Sequence, residues 1–247
     1  MKNPIACRIG WDKLKLVADA GMKNVEVDVV ARAELASAQA KLAELGLTAT
    51  TVTVRMDPRT DEGIDGLSEA FAMVRALGAS LVFTSAHAGT TPKEEVYARL
   101  RKVGAMAAEQ GVVVGMETHP DLAQNGENAR ETMEAINHPN IRINFDTANV
   151  HYYNHDVDSV AELRKIVPYV SSVHLKETAG GYHSFEFPPL GQGIVNFPAA
   201  FKVLDDAGFA GPCTLELEGL KDLDPDAGFA RALKECLDYL KKIGRWA

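Results

Sequence analysis

The feature that most constrains this chain is an alternation that repeats eight times. A short apolar run is followed by a stretch of helical periodicity, and the pair recurs along all 247 residues. The apolar runs lie at 4–9, 24–28, 47–54, 80–86, 112–117, 141–146, 170–175 and 212–217. Helical spacing is clearest over 31–46, 62–78, 92–111, 197–208 and 226–244, each stretch ending on a glycine. Pro92 opens one of them and Gly111 closes it, the asymmetry that helices favour. Strict strand–helix alternation predicts parallel strands joined by right-handed crossovers. Eight units in 247 residues leave about 30 for each, the size of one strand–helix–strand unit. The rival is an open doubly wound sheet. No Gly-x-Gly-x-x-Gly follows the first strand, and no Gly-x-x-x-x-Gly-Lys-[Ser/Thr] occurs in the chain. One α/β domain over residues 1–247, a closed (β/α)8 TIM barrel without a nucleotide cofactor, is therefore expected.

Composition narrows the partners. Lys plus Arg number 26 against 34 Asp plus Glu, a formal charge of −8. That balance argues against nucleic acid and against an anionic membrane surface, since both attract a positive field. Three cysteines without paired spacing argue against a disulfide scaffold and fit a reducing compartment. No run approaches the ~20 apolar residues that span a bilayer, and the opening MKNPIACRIGWDK carries no signal-peptide pattern. A cytoplasmic location is expected. All seven histidines fall between residues 87 and 183.

In a barrel of this kind the chemistry sits at the C-terminal ends of the strands. The fifth apolar run ends in GMETHP, with Glu117 and His119. The sixth ends in NFDTANVHYY, with Asp146, Asn149 and His151. The seventh ends in VHLKE, with His174 and Lys176, and the eighth in CTLELEG, with Glu216 and Glu218. Four consecutive strands thus end in Glu, Asp, His and Glu, and neighbouring strand ends can converge on one point. Three carboxylates sharing a low-dielectric site require a compensating cation. Oxygen-rich ligation with one imidazole suits Mn²⁺ or Mg²⁺, with Co²⁺ and Zn²⁺ as alternatives.

METHP, NFDTAN, VHLKE and the long run PLGQGIVNFPAAFKVLDDAGFAGPCTLELEG, in this order and spacing, resemble the xylose-isomerase-like barrel superfamily of sugar isomerases and epimerases. Its members include ketose 3-epimerases, hydroxypyruvate isomerase, inosose dehydratase and, more distantly, endonuclease IV. The resemblance implies one divalent metal, Mn²⁺ first, held by Glu117, Asp146, His174 and Glu216. It implies proton transfer by Glu117 and Glu216 beside a carbonyl, through an enediolate. His119, His87, Lys176, His151, Asn149, Glu218 and Glu26 become candidates for binding a small carbohydrate, and a homodimer or homotetramer is possible. Residues 179–193 are long for such a loop, usually ~2–6 residues, and are expected to form a flap. His138 is expected at the surface.

Two positions depart from the ketose 3-epimerase pattern. That pattern has a substrate-binding His three residues after the Asp ligand, where this chain has Asn149. It has an Arg six residues after the His ligand, where this chain has Gly180. The substrate is accordingly left open among keto sugars, sugar acids and inositol derivatives. A metal-dependent dehydratase is the alternative chemistry, an abasic-site nuclease a distant one, and a non-catalytic sugar-binding role a fourth.

Overall fold

The structure is a computed structural model that describes residues 3–219 and 225–246. Eight strands form: β1 (Ile5–Arg8), β2 (Asn24–Asp28), β3 (Thr48–Thr53), β4 (Leu81–Thr84), β5 (Val113–Glu117), β6 (Ile141–Asp146), β7 (Val170–Leu175) and β8 (Cys213–Leu215). All neighbouring pairs are parallel, and β8 closes onto β1 with Ile5 opposite Cys213. The strand order follows the chain order, so the result is the (β/α)8 barrel that the alternation predicts.

Side-chain alternation divides each strand into two faces. The outward residues, among them Val25, Val27, Val52, Val114, Ile143, Phe145, Val173 and Leu215, are buried beneath the helices. Burying each large apolar side chain contributes about 1.5–3 kcal/mol, so this annular layer is the main source of stability. The inward face is different. Asn144 donates to Ser172 Oγ at 3.0 Å inside the barrel, and Thr51 and Thr214 are fully buried. Polar side chains thus fill the channel and continue upward into a charged mouth.

Helices Leu14–Asp19, Leu35–Glu44, Leu67–Ala76, Lys93–Gln110, Gly126–Ile136, Ser159–Ile166, Phe197–Asp206 and Pro225–Lys242 surround the strands. Gly111 ends its helix in the left-handed conformation at φ 67°, as its position in the sequence requires. The stretch expected to be helical from residue 62 begins later. Gly66, at φ 75°, separates a 3₁₀ turn over Glu62–Ile64 from the helix proper. The last strand is shorter than the apolar run 212–217 suggests, which leaves Glu216 just beyond it. His138 is half-buried rather than on the surface, because it fills the space above Gly104, where a Cβ would lie 2.4 Å from its ring. Among the described residues no helix is long and apolar enough to cross a membrane.

Candidate metal centre

The C-terminal ends of β5 to β8 bring four side chains together. Glu117 ends β5, Asp146 ends β6, His174 is the penultimate residue of β7, and Glu216 follows β8. Asp146 and His174 are register partners across β6 and β7. One ligand-type atom from each of the four lies within 4.8 Å of the others.

The hydrogen bonding leaves two of these atoms unused. Asp146 Oδ1 accepts the backbone N–H groups of Ala148 (2.7 Å) and Asn149 (2.8 Å), while its Oδ2 is buried without a partner. His174 Nδ1 is likewise buried and unpartnered. It faces Glu216 Oε2 at 3.4 Å, Glu117 Oε1 at 3.6 Å and Asp146 Oδ2 at 3.9 Å. Buried polar atoms are rarely left without a partner. Two such orphans aimed at one point, with two further carboxylates, fit a divalent cation, and the donor set favours a hard one.

The electrostatics agree. Burial, reinforced by the nearby Glu216 and Glu117 carboxylates, pushes the Asp146 carboxyl up to about 7. Burial also acts against the Glu117 carboxylate, but His119 and His174 outweigh it and bring Glu117 down to about 2. At Glu216 the burial penalty is overcome by His174, Lys176 and Arg8, so this carboxyl is held low. Burial works against a charged His174 ring, yet Glu26, Glu216 and Glu117 raise it well above the usual imidazole range. Protons on His174 and Asp146 therefore occupy the place that a metal would take.

Above the cluster lies a cavity of about 320 Å³. Glu117, His119, Asn149, Lys176, Glu216 and Glu218 line it together with Arg8, Phe83, Ser85, Tyr152, Tyr153, Phe185 and Phe187. Ser85 Oγ donates to Glu117 Oε2 at 2.7 Å, and His119 Nδ1 lies 2.7 Å from the same oxygen. Asn149 Nδ2 donates to Glu117 Oε1 at 3.3 Å. Lys176 Nζ donates to Asn149 Oδ1 (3.3 Å), to Glu216 Oε2 (3.2 Å) and to Glu218. Asn149 and Lys176 thus bridge the two glutamates of the cluster.

Three of the candidates lie elsewhere. His151 does not line the cavity. It sits on the one-turn helix Asn149–Tyr152, where positions 149, 152 and 153 share the face turned to the cavity and 151 takes the opposite side. Its ring is half-buried and held below the usual imidazole range by burial. His87 stands behind His119, with ring centroids 5.3 Å apart and Nδ1 against Pro120 O. Glu26 is fully buried beneath the cluster, against His174 and Arg8. Arg8, Phe83, Ser85 and the tyrosine pair carried no signal in the sequence. Each follows or belongs to an apolar run or loop whose inward face only the closed barrel defines.

The expected flap is ordered by Glu177. Its carboxylate accepts the backbone N–H groups of Gly191 (2.9 Å), Val195 (3.0 Å) and Thr178 (3.0 Å). This anchoring turns Phe185 and Phe187 over the cavity, the latter lying over the Lys176 ammonium at 4.5 Å. Gly193 must be glycine here, because a Cβ would lie 2.1 Å from Thr178 O and 2.6 Å from Glu177 Oε1.

With this geometry in view, the sequence profile of the xylose isomerase-like TIM barrel family matches residues 14–243. The chain belongs to that family. A curated relative, L-ribulose-5-phosphate 3-epimerase UlaE of Escherichia coli, is 31% identical over 97 residues, 39% of this chain and 33% of that protein. The match therefore spans about a third of the length of such relatives. A xylose isomerase domain protein from Planctomyces limnophilus superimposes with a TM-score of 0.79 at 22% identity, over 98% of each chain. The E. coli 3-keto-D-glucoside 4-epimerase YcjR does so with a TM-score of 0.78 at 17% identity, over 98% of this chain and 100% of its own. These two likenesses concern the fold.

Two outcomes are expected. Calorimetric titration of metal-depleted protein with Mn²⁺ gives one site per chain, and His174→Ala weakens it. Because metal displaces protons from His174 and Asp146, affinity rises with pH by about tenfold per unit for each group still protonated, and the share of Asp146 fades above about pH 7. A pH-independent affinity would contradict this ligand set. Separately, Gly193→Ala loosens the flap: chymotrypsin, which cuts after Tyr182 and Phe185, cleaves within 179–193 faster while Mn²⁺ affinity is retained. Unchanged cleavage would show that the flap does not depend on this close approach.

Proposed function

We propose that this chain is a divalent-metal-dependent isomerase or epimerase of a sugar or sugar derivative, acting by removal of a proton from the carbon beside a carbonyl. The observation that carries the reading is the buried Glu117–Asp146–His174–Glu216 cluster, with two unpartnered atoms, at the floor of a polar cavity. Family membership and the partial likeness to a 3-epimerase support the same class of reaction.

Glu117, Asp146, His174 and Glu216 would hold the metal. A bound divalent ion supplies positive charge that polarises a substrate carbonyl and acidifies the neighbouring C–H bond. The residues themselves divide the remaining work. Glu117 and Glu216 stand at the ends of β5 and β8, three strands apart around the mouth, and both line the cavity. One carboxylate takes a proton from one face of the substrate, and the other returns a proton from the opposite face. Return to the same carbon inverts its configuration; return to the adjacent carbon exchanges aldose and ketose.

His119 and Ser85 converge on Glu117 Oε2 and fix its orientation towards the substrate. Lys176 holds a positive charge between Glu216 and Glu218 and is raised above its usual range, because its carboxylate neighbours outweigh burial. It stays cationic and can hold a substrate oxygen. Phe185 and Phe187 exclude water, which protects a carbanionic intermediate from stray protonation.

The test is a screen of ketoses, keto acids and inososes with Mn²⁺ in D₂O. Turnover of one of them with solvent deuterium entering at the reacting carbon is expected. Glu117→Gln and Glu216→Gln each lower kcat by about 10²–10⁴-fold. Turnover that survives both substitutions contradicts the assignment of these two as proton-transfer groups. Turnover with no deuterium incorporation points instead to hydride shift.

A further inference from the structure

We propose that Glu26 and Arg8 are positioning residues of the metal centre: Glu26 fixes the tautomer and orientation of His174, and Arg8 fixes Glu26 and ties it to Glu216. This rests on the reading of the four-residue cluster as a metal site.

Hydrogen-bond capacity fixes the tautomer of His174. An ionised carboxylate can only accept. Glu26 Oε2 lies 3.2 Å from His174 Nε2, and both side chains are fully buried. Nε2 must therefore carry the hydrogen. In the neutral ring, Nδ1 is then the bare nitrogen, and Nδ1 is the atom that faces Glu117, Asp146 and Glu216 without a partner of its own. The Phe83 ring stacks on the imidazole at 4.6 Å between centroids and restricts its tilt. Glu26 below and Phe83 alongside leave His174 one orientation, with its lone pair aimed at the cluster.

A buried carboxylate needs a charge of its own to balance it. Arg8 provides it. Its Nη1 donates to Glu26 Oε1 at 3.1 Å, and its Nε lies 3.5 Å from Glu216 Oε1. The barrel dictates this arrangement, since β1 lies between β8, which precedes Glu216, and β2, which carries Glu26. A ring of contacts results: Arg8 to Glu26, Glu26 to His174, His174 towards Glu216, and Glu216 back to Arg8. Two of the cluster's four members are thereby set by residues outside the four that offer ligand-type atoms to one point. An outer carboxylate that accepts from a ligating histidine typically changes metal affinity by about 10–100-fold when removed.

The experiment uses the full chain, metal-depleted and without any sugar, so that it does not depend on turnover. Mn²⁺ is titrated calorimetrically into the wild type, Glu26→Ala and Glu26→Gln. Nitrogen-15 histidine spectra of the Mg²⁺-loaded wild type and Glu26→Gln report the state of each ring nitrogen. The expected result is a 10–100-fold weaker affinity for Glu26→Ala and a smaller loss for Glu26→Gln, whose amide oxygen can still accept from Nε2. The wild-type spectrum is expected to show His174 with hydrogen on Nε2 and none on Nδ1. Wild-type affinity in both variants overturns the positioning role while leaving the metal reading intact, whereas hydrogen on Nδ1 of the loaded wild type overturns both. If the wild type itself binds no Mn²⁺, the metal reading falls and takes this proposal with it. Should Glu26→Ala fail to fold, the isosteric variant and the wild-type spectrum still decide the question.

Discussion

Mutual repulsion among three buried carboxylates is the constraint on which the rest of this site depends. At an effective dielectric near 20, two like charges about 4 Å apart repel by about 4 kcal/mol. Glu117, Asp146 and Glu216 crowd within 4.8 Å together with His174, and their burial at the barrel mouth leaves little solvent to weaken that repulsion. The surroundings answer with positive charge: Lys176 against Glu216, Arg8 between Glu26 and Glu216, and a proton held tightly on His174. Burial, with Glu216 and Glu117 beside it, still raises the Asp146 carboxyl against the pull of Lys176. A divalent ion placed among the four atoms supplies the missing charge without the proton.

The two halves of the barrel share the work unequally. Strands β5 to β8 bring the four members of the cluster to the mouth. Strands β1 and β2 contribute Arg8, at the cavity wall, and Glu26, beneath the cluster, which set the orientation and charge of those members. Strand β4 adds the Phe83 ring against His174, and Ser85 just beyond it holds Glu117. The histidine-free start of the chain is thus a supporting half, and the loops after β6 and β7 close the cavity with Tyr152, Tyr153, Phe185 and Phe187.

The barrel and the four clustered residues were legible in the sequence for one reason. Each sits at the same end of an apolar run, and a period of two fixes which side chains point inward. Glu26 was visible as an acidic strand end, but not its role. Its partner His174 is 148 positions away, and no local pattern reports a contact across a closed barrel. Arg8 was hidden inside an apolar run. His151 shows the opposite failure: it lies five residues from Asp146 in sequence, yet one helical turn carries Asn149, Tyr152 and Tyr153 to the cavity and His151 away from it. Glu177 was read only as the end of a motif, because its three backbone partners come from both ends of a loop that the sequence does not fold by itself.

The central claim is that Glu117, Asp146, His174 and Glu216 hold a single divalent ion through the Nδ1 of that histidine. The most direct test is a crystal grown with Mn²⁺ and measured at the manganese absorption edge. One strong anomalous peak is expected at the barrel mouth, in coordination contact with a carboxylate oxygen from each of the three acids and with His174 Nδ1. A peak held by other residues, or no peak beside a cluster that remains intact, would contradict that claim.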